Sequence, residues 1–489
     1  MLPSRPEACI DNGREMMRPH LALVDVLYIL LVSASVHAQP GAEQTPAPQV
    51  FTLEQALQYA VDHYPTVKAA LEDVNASTAG VDIARAGYLP RLDSVWQTNR
   101  ATANNVFGQL LPQAAIPALS GPVLPSASSQ SVWGSAAGAL FSWEPFDFGL
   151  RDASVRRAEA AVVRARAGES LTRLEVQSAV GAAFLAVVEA EQAVGATRAD
   201  VERRDVLTRV ARTLADNQLR PGAEASRAEA ERAAAQTRAI LARQALVLAQ
   251  TALRRALGVT AGTVSVDSAG LLAPAPPTNA PASAARAHPL AQALQASVDV
   301  ARTQEDVLAH TNRPRLYLQS SVFARGSGAN PDGAFDGGAD GLGFERANWA
   351  AGVQVVFPNL FDFPSLRARR AASAASTRAE SARYDEALLI VTSQQQAAAA
   401  MVEAARAVAA NTPVQRAAAQ QSEAQARARY QAGLASIVEV ADAQGLLAQA
   451  EYQDAIARVE VWRALLADAI AHSDLPSFMS LVGARGGVR

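Results

Sequence analysis

The strongest pattern of apolar and polar positions is a seven-residue repeat in the first half of the chain. Valines recur at every seventh position from Val180 to Val201, interleaved with Val176 and small residues. A 3-4 alternation of this kind is typical of a coiled-coil seam. Gly149 opens the segment and no proline interrupts it, so we predict a helix over residues 149–215, roughly 100 Å long at about 1.5 Å per residue. A compact globular domain has no need of such a rod, and the pattern therefore predicts an elongated, mainly α-helical protein.

The helical period disappears in four segments, which predict β-strands over residues 91–102, 132–141, 315–325 and 349–357. A tilted strand of about 9–11 residues suffices to cross a bilayer. Four strands cannot close a barrel wide enough to conduct, and unpaired sheet edges are costly in hydrocarbon, so we expect other copies of the chain to complete the sheet. Tryptophans near the strand ends are typical of the aromatic girdles of membrane barrels, with ordinary core packing as the alternative. They are Trp96, Trp133, Trp143 and Trp349.

The chain also repeats itself. Pro90-Arg91-Leu92 returns as Pro314-Arg315-Leu316, and Phe146-Asp147-Phe148 returns 215 residues later as Phe361-Asp362-Phe363. Self-similarity of this kind indicates a duplicated structural unit. We predict a first repeat over residues 39–259, a Pro/Ala-rich linker over 260–287, a second repeat over 288–472 and a tail over 473–489. The long helices are predicted at residues 149–215, 223–258, 364–430 and 436–472.

The N-terminus has the pattern of an export signal. Arg14 and Arg18 precede an apolar run over residues 21–34, and Val36-His37-Ala38 provides a small-x-Ala cleavage site. We predict a signal peptide over residues 1–38, with a buried N-terminal helix as the alternative. Cys9, the one cysteine of the sequence, would leave with this peptide. No later stretch approaches the roughly 18–20 apolar residues of a membrane-spanning helix, which predicts an exported protein without a helical anchor.

Composition narrows the function classes. The formal net charge is −3, so the chain lacks the basic stripe that a nucleic-acid partner would require. The six histidines show no metal-ligand spacing, and the sequence contains no nucleotide-binding, dinucleotide-binding or nucleophile-elbow motif. The sequence thus predicts no enzyme, no cofactor, no metal and no nucleic-acid partner.

Five short segments occur in a characteristic order along the chain: FTLEQAL at 51–57, HYP at 63–65, AGYLP at 86–90, YQAG at 430–433 and VEVADAQ at 438–444. In this order the chain resembles the TolC family of outer-membrane efflux proteins, from about residue 50 to residue 472. The resemblance implies a homotrimer in the cell outer membrane, with a 12-stranded β-barrel among outer-membrane lipid, continued by a periplasmic α-helical barrel. It further implies a passive exit duct that meets a periplasmic adaptor and an inner-membrane transporter.

The resemblance also implies a functional site at the periplasmic mouth of the tube. Glu439 and Asp442 are three apart on one helical face, and they match acidic rings of the family, which favour cations and repel anions. A solvated acidic pair on an outer face is the alternative. Tyr430 matches a tyrosine of the family's closing network, whereas Ala435 stands where the family has an arginine. We therefore expect the closing contacts of this chain to differ.

The internal repeat relates this site to the first half of the chain. At an offset of 215 residues, Glu439 falls on Glu224 and Asp442 falls on Arg227. The two repeats thus share one acid and differ by a charge reversal at the other position. We predict that Glu224 and Arg227 also belong to the mouth, and that Arg227 pairs with an acidic residue of a neighbouring helix in the closed state.

These features together predict an outer-membrane channel that acts as the exit duct of a tripartite efflux or type I secretion system. A periplasmic adaptor or coiled-coil scaffold is the alternative, because such proteins also contain long helical hairpins. That alternative does not account for the duplicated strands. The residues do not distinguish small-molecule efflux from protein secretion.

Overall fold

The computed structural model describes residues 49–102, 104, 114–116, 129–260, 262–273, 275, 284–330, 334–335, 338–358 and 361–486, and the predicted signal peptide lies outside them. The described chain is mainly helical and runs twice through the same order of elements, which confirms the predicted fold class of two repeats. The first repeat contains β1 (Gln49–Phe51), α1 (Leu53–His63), α2 (Pro65–Ala86), β2 (Arg91–Thr102), β3 (Ser131–Phe146), α3 (Leu150–Asp216) and α4 (Gly222–Leu257). After β4 (Val264–Val266) follow α5 (Pro289–His310), β5 (Arg315–Ser327), β6 (Arg346–Val356), α6 (Phe363–Gln431), α7 (Ile437–Ala471) and α8 (Leu475–Gly486).

The four long strands form one antiparallel sheet in the order β2-β3-β5-β6. β2 pairs with β3 from Arg91 opposite Ser142 to Thr102 opposite Ser131. β2 and β6 are the edges of the sheet, and neither pairs with a second strand in the described part of the chain. Large apolar side chains are exposed on the sheet, among them Trp96 (73% exposed) and Trp349 (79% exposed). Core packing within one chain therefore does not account for these two tryptophans.

Strand β3 runs to Phe146 rather than ending at the predicted residue 141. Its pairing with β5 shifts register between Trp143 and Phe146, and Pro145 lies in this irregularity, where a residue without an N–H donor is tolerated. The Trp143 indole N–H donates to the carbonyl oxygen of Tyr88 at 3.0 Å. The strand is thereby tied to the chain that follows α2. Strand β6 also differs from its prediction, since it begins three residues earlier, at Arg346.

Helix α3 is the central element of the helical part. It packs against α2, α4, α5 and α7, while α6 packs against α5 and α7. The core includes Phe184 and Leu185 of α3 and Trp462 of α7, all fully buried. One 18-residue window of α3 is long and apolar enough to cross a membrane, and 44% of that window is buried within the chain. No uninterrupted run of 18 apolar residues occurs in α3, and the heptad valines Val180 and Val187 are fully buried in the core.

The predicted tail contains a further helix, α8. Asp474 precedes it and accepts a hydrogen bond from the Ser477 N–H at 3.3 Å. Leu475 and Phe478 are buried, and the Phe478 ring meets Trp462 edge-on with 6.3 Å between centroids. A helix of 12 residues is too short to show a heptad pattern, and no helix is therefore predicted in this tail.

Candidate functional site at the turns of the long helices

Two turns join the long helices into a first hairpin (α3–α4) and a second hairpin (α6–α7), and the turns have the same backbone. Gln218 in the first turn has a φ of 60°, and Gly433, 215 residues later, has a φ of 76°. In both turns the N–H of the next residue, Leu219 or Leu434, donates to the carbonyl oxygen five residues back, at 2.9 and 2.8 Å. This is the hydrogen bond of a Schellman-type helix end. The offset of 215 therefore identifies structurally equivalent residues at the turns.

Glu439 acts mainly within the second hairpin. Its Oε1 atom accepts the backbone N–H of Ser436 at 3.4 Å, which caps the start of α7. Its Oε2 atom is 3.7 Å from Nη1 of Arg429, and both side chains are about half exposed (48% and 60%). An exposed ion pair of this kind contributes about 0–1 kcal/mol. Glu439 thus stabilises its own turn through both of these partners.

Glu224, its equivalent, reaches across to the second hairpin. The Tyr430 hydroxyl donates to Oε2 of Glu224 at 3.1 Å, and Tyr430 is only 3% exposed. The Arg220 guanidinium lies 5.3 Å from the centroid of the Tyr430 ring, and its Nη1 atom is 3.9 Å from Oε1 of Glu224. A guanidinium over an aromatic face is attracted by the ring quadrupole. We call Arg220, Glu224 and Tyr430 the tip trio, because together they connect the two turns.

The electrostatics of the tip trio keep Tyr430 a hydrogen-bond donor. Burial raises the pKa of the Tyr430 hydroxyl, the hydrogen bond and negative charge of Glu224 raise it further, and Arg220 opposes the shift. A tyrosine titrates near pH 10 even without such effects. The hydroxyl is therefore protonated at neutral pH and available to donate to the carboxylate.

Arg220 is a residue of the candidate site that is absent from the sequence prediction. Ala435 stands where the resembling family has an arginine, and the repeat offset leads from that position to Arg220. Since 435 − 215 = 220, Arg220 is the equivalent of Ala435 in the first repeat. Ala435 itself is buried in a small apolar cluster with Tyr430. The arginine is thus present at the turns, but on the other hairpin.

Arg227 and Asp442 are not brought together. Both are exposed, and neither forms a salt bridge with another residue in the described part of the chain. Asp442 lines a cavity of about 930 Å³ between α3, α4 and α7, together with Arg204, Arg238 and Tyr452. The predicted pairing of Arg227 with an acidic residue therefore has no partner within the described residues of one chain. In the same residues, no cluster of three or more His, Cys, Asp or Glu side chains is arranged to hold a metal ion.

Comparison with known proteins decides the identity. A family model described as "Outer membrane efflux protein" matches residues 56–259 and 280–467, which together exceed half of the chain. The chain belongs to the outer membrane efflux protein family. This confirms the predicted resemblance and favours a duct over the periplasmic adaptor or scaffold. No curated protein matches the chain significantly.

Solved structures of outer membrane efflux proteins share the fold at low sequence identity. The outer membrane protein VceC from Vibrio cholerae is 18% identical, with a TM-score of 0.67 over 86% of this chain and 95% of that one. The CmeC outer membrane channel of Campylobacter jejuni is 14% identical, with a TM-score of 0.68 over 88% and 89% of the two chains. The open state of the MtrE outer membrane channel of Neisseria gonorrhoeae is 17% identical, with a TM-score of 0.64 over 86% and 88%.

The function and location of this outer membrane efflux protein follow from its family. It is a duct of tripartite efflux systems in the outer membrane, with a helical extension into the periplasm. The family is one of passive channels, and it implies in general terms a trimer and an adaptor partner.

Proposed function

We propose that three copies of the chain close one continuous duct, with β6 of each copy pairing with β2 of the next. The observation that supports this assembly is that both strands are sheet edges without a second partner in the described chain. Open edges are not tolerated in hydrocarbon, and closure into a barrel removes them. Exposed apolar residues on α4 and α6, such as Ile240 (63% exposed) and Leu389 (73% exposed), would be covered in the same step. A periplasmic adaptor then links the duct to an inner-membrane transporter, which supplies the energy of transport.

The two turns form the periplasmic mouth of the proposed duct, and the tip trio holds it closed. The Tyr430–Glu224 hydrogen bond carries this proposal, because it joins the two hairpins of one chain at their tips. Opening that moves the second hairpin away from the first must break it. Arg227 and Asp442 alternate around the axis of the trimer, together with Glu439. Each Arg227 is then placed to meet an acidic residue of a neighbouring copy.

Single-channel conductance in planar bilayers tests the tip trio. Tyr430→Phe removes only the hydroxyl, and Arg220→Ala removes the cation above the ring. A hydrogen bond to a charged group contributes about 1.5–3 kcal/mol, so we expect the open fraction of either variant to rise by roughly tenfold or more. Arg429→Ala is the matched control, since Arg429 pairs with Glu439 inside the second hairpin. Unchanged conductance in Tyr430→Phe, or an equal rise in Arg429→Ala, would contradict the proposal.

Arg227 is tested separately from the tip trio. If it pairs with an acidic residue of a neighbouring copy, Arg227→Ala raises closed-state conductance while the Tyr430–Glu224 contact stays in place. Arg227→Lys keeps the charge and should restore most of the closed state. If Arg227→Ala showed wild-type closed-state conductance, Arg227 would have no role in closing the mouth.

A further inference from the structure

The start of α6 is strongly basic. Four arginines and no acidic residue lie between Asp362 and Glu380. Helix α6 begins at Phe363, seven residues after β6 ends at Val356, so this segment lies next to the end of the β-sheet. Phenylalanines at the same end are exposed: Phe357 by 59%, Phe361 by 86% and Phe363 by 65%. Exposed aromatic rings at the end of membrane strands mark the level of the lipid headgroups.

Helical geometry sorts the arginines onto two faces. Phe363, Arg367 and Arg370 are spaced i, i+4 and i+7 and share one face, whereas Arg369 lies on the opposite face. Arg367, Arg369 and Arg370 are all exposed. No described acidic side chain forms a salt bridge with Arg367 or Arg370. Nη2 of Arg370 lies 3.4 Å from the Ala309 carbonyl oxygen of α5, which orients its guanidinium.

The first repeat shows that the fold does not require this basic face. At the offset of 215, Arg367 falls on Asp152 and Arg370 falls on Val155. Asp152 is neutralised inside the chain by a salt bridge with Arg156. The second repeat thus replaces an acid and an apolar residue with two cations that no acid in the described chain neutralises. A ligand of opposite charge is the physical complement of that change.

We propose that Arg367 and Arg370 bind the phosphate groups of anionic phospholipids in the periplasm-facing leaflet, with Phe363 among the adjoining acyl chains. Guanidinium groups bind phosphate in bidentate geometry, and arginine keeps its charge in the headgroup layer while its stem lies along apolar surface. Basic clusters beside a membrane segment attract anionic lipids. The inference rests on the placement of the sheet in the outer membrane and adds a lipid site to the duct, one for each copy of the chain.

Native mass spectrometry of the purified protein tests the site. The protein is titrated in detergent with phosphatidylglycerol or with phosphatidylethanolamine of the same acyl chains, and retained lipid is counted. We expect the wild type to retain phosphatidylglycerol preferentially. Each basic residue at a membrane surface contributes roughly fivefold to the affinity for anionic lipid, so Arg367→Gln/Arg370→Gln should lower phosphatidylglycerol binding by roughly twentyfold. Arg369→Gln is the matched control and should bind as the wild type does.

The outcomes separate this inference from the duct itself. Undiminished phosphatidylglycerol binding in the double variant, or an equal loss in Arg369→Gln, would overturn the proposal. Single-channel conductance of the double variant is expected to match the wild type. Arg367→Lys/Arg370→Lys keeps both charges and should retain most of the lipid. If the double glutamine variant dissociates into single chains, the lysine variant decides, and loss of lipid from an assembled lysine variant would overturn the proposal.

Discussion

The two hairpins each contain one deeply buried aspartate, but the arginines around it differ in their access to water. In the first hairpin, Asp200 of α3 accepts from Nε of Arg204 at 3.0 Å, and both side chains are only 4% exposed. In the second hairpin, Asp454 of α7 is 3% exposed, and its partners Arg416 and Arg458 are 40% and 39% exposed. Asp200 also pairs with Arg238 at 2.9 Å, whose side chain is 49% exposed. The first aspartate thus neutralises one buried and one half-exposed cation, whereas both partners of the second lie near the surface.

The repeat offset shows that these aspartates are not equivalent positions. Asp200 falls on Gln415 in the second repeat, and Asp454 falls on Ala239 in the first. Each hairpin therefore places its buried aspartate on a different helix of the pair, while the turns keep the same backbone. The duplication thus preserves the chain path and leaves the internal charges free to differ. A buried charge must be matched locally, since an unpaired one costs several kcal/mol.

Replacement of the two aspartates should have the largest effect on stability, and the loss should differ between the two hairpins. Asp200→Ala leaves Arg204 buried with only Glu231 as an acidic partner, at 2.9 Å, and we expect a loss of about 3–5 kcal/mol. Asp454→Ala lets its half-exposed arginines turn to water, so we expect a loss of about 1–3 kcal/mol. The measurement is the thermal-unfolding midpoint of the helices, followed by circular dichroism.

Asp205→Ala is the control for this pair of variants. Asp205 also pairs with an arginine, Arg232 at 3.0 Å, but its side chain is 41% exposed. We expect a loss below about 1 kcal/mol, as for other surface ion pairs. Equal losses in Asp200→Ala and Asp454→Ala would mean that arginine burial does not distinguish the hairpins.

A glycine marks a close approach between the hairpins and gives the next largest effect. A Cβ atom added to Gly181 of α3 would lie 2.6 Å from Cδ2 of Leu466 in α7, whereas one added to Gly195 would have no atom within 4 Å. Overpacking costs about 1–3 kcal/mol, so Gly181→Ala should lower the unfolding midpoint. Gly195→Ala should raise it, because alanine favours a helix by about 1 kcal/mol over glycine. A rise of the unfolding midpoint in both variants would show that the Leu466 side chain moves aside without loss of stability.

The sequence predicted those parts of the fold that depend on local pattern. Helices α3 and α6 follow from long proline-poor segments, and the turns follow from the breaks at residues 217–222 and at Gly433. Helix α8 was not predicted because its apolar side chains pack against α7, where Phe478 meets Trp462, and such a contact cannot be recognised from the local sequence.

For the candidate site, the sequence predicted several of the residues but not the contacts between them. Tyr430 and Glu224 are both among the residues predicted for the mouth, but the sequence predicted no contact between them, whereas in the structure the Tyr430 hydroxyl donates to Glu224. Arg220 was not named, although the repeat offset leads from Ala435 to it. Contacts of this kind depend on which faces of four helices meet, and a periodic pattern on one helix does not contain that information.

The smallest effect is expected at the start of the helix that leads into the strands of each repeat, α2 in the first repeat and α5 in the second. Tyr64 and His288 occupy the same position, directly before a proline, with a φ of −67° in both. Only His288 caps its helix by its side chain: Nδ1 accepts the Leu290 N–H at 3.2 Å. Nε2 lies 3.3 Å from the Ile470 carbonyl oxygen, to which it can donate. This arrangement requires the neutral imidazole, because a protonated ring has no acceptor nitrogen.

Burial lowers the pKa of His288, and the Ile470 carbonyl opposes that shift without cancelling it. The unfolded chain, with a histidine pKa of about 6.5, therefore binds the proton more readily than the folded chain. Stability is thus lost as the pH falls through about 6.5, and the loss levels off below the lowered folded value. His288→Asn keeps a side-chain cap, worth about 1 kcal/mol, but cannot titrate. We expect the unfolding midpoint of the wild type to drop more than that of His288→Asn between about pH 8 and about pH 5. If the midpoints of both proteins fell equally with pH, His288 would not be the cause of the pH dependence.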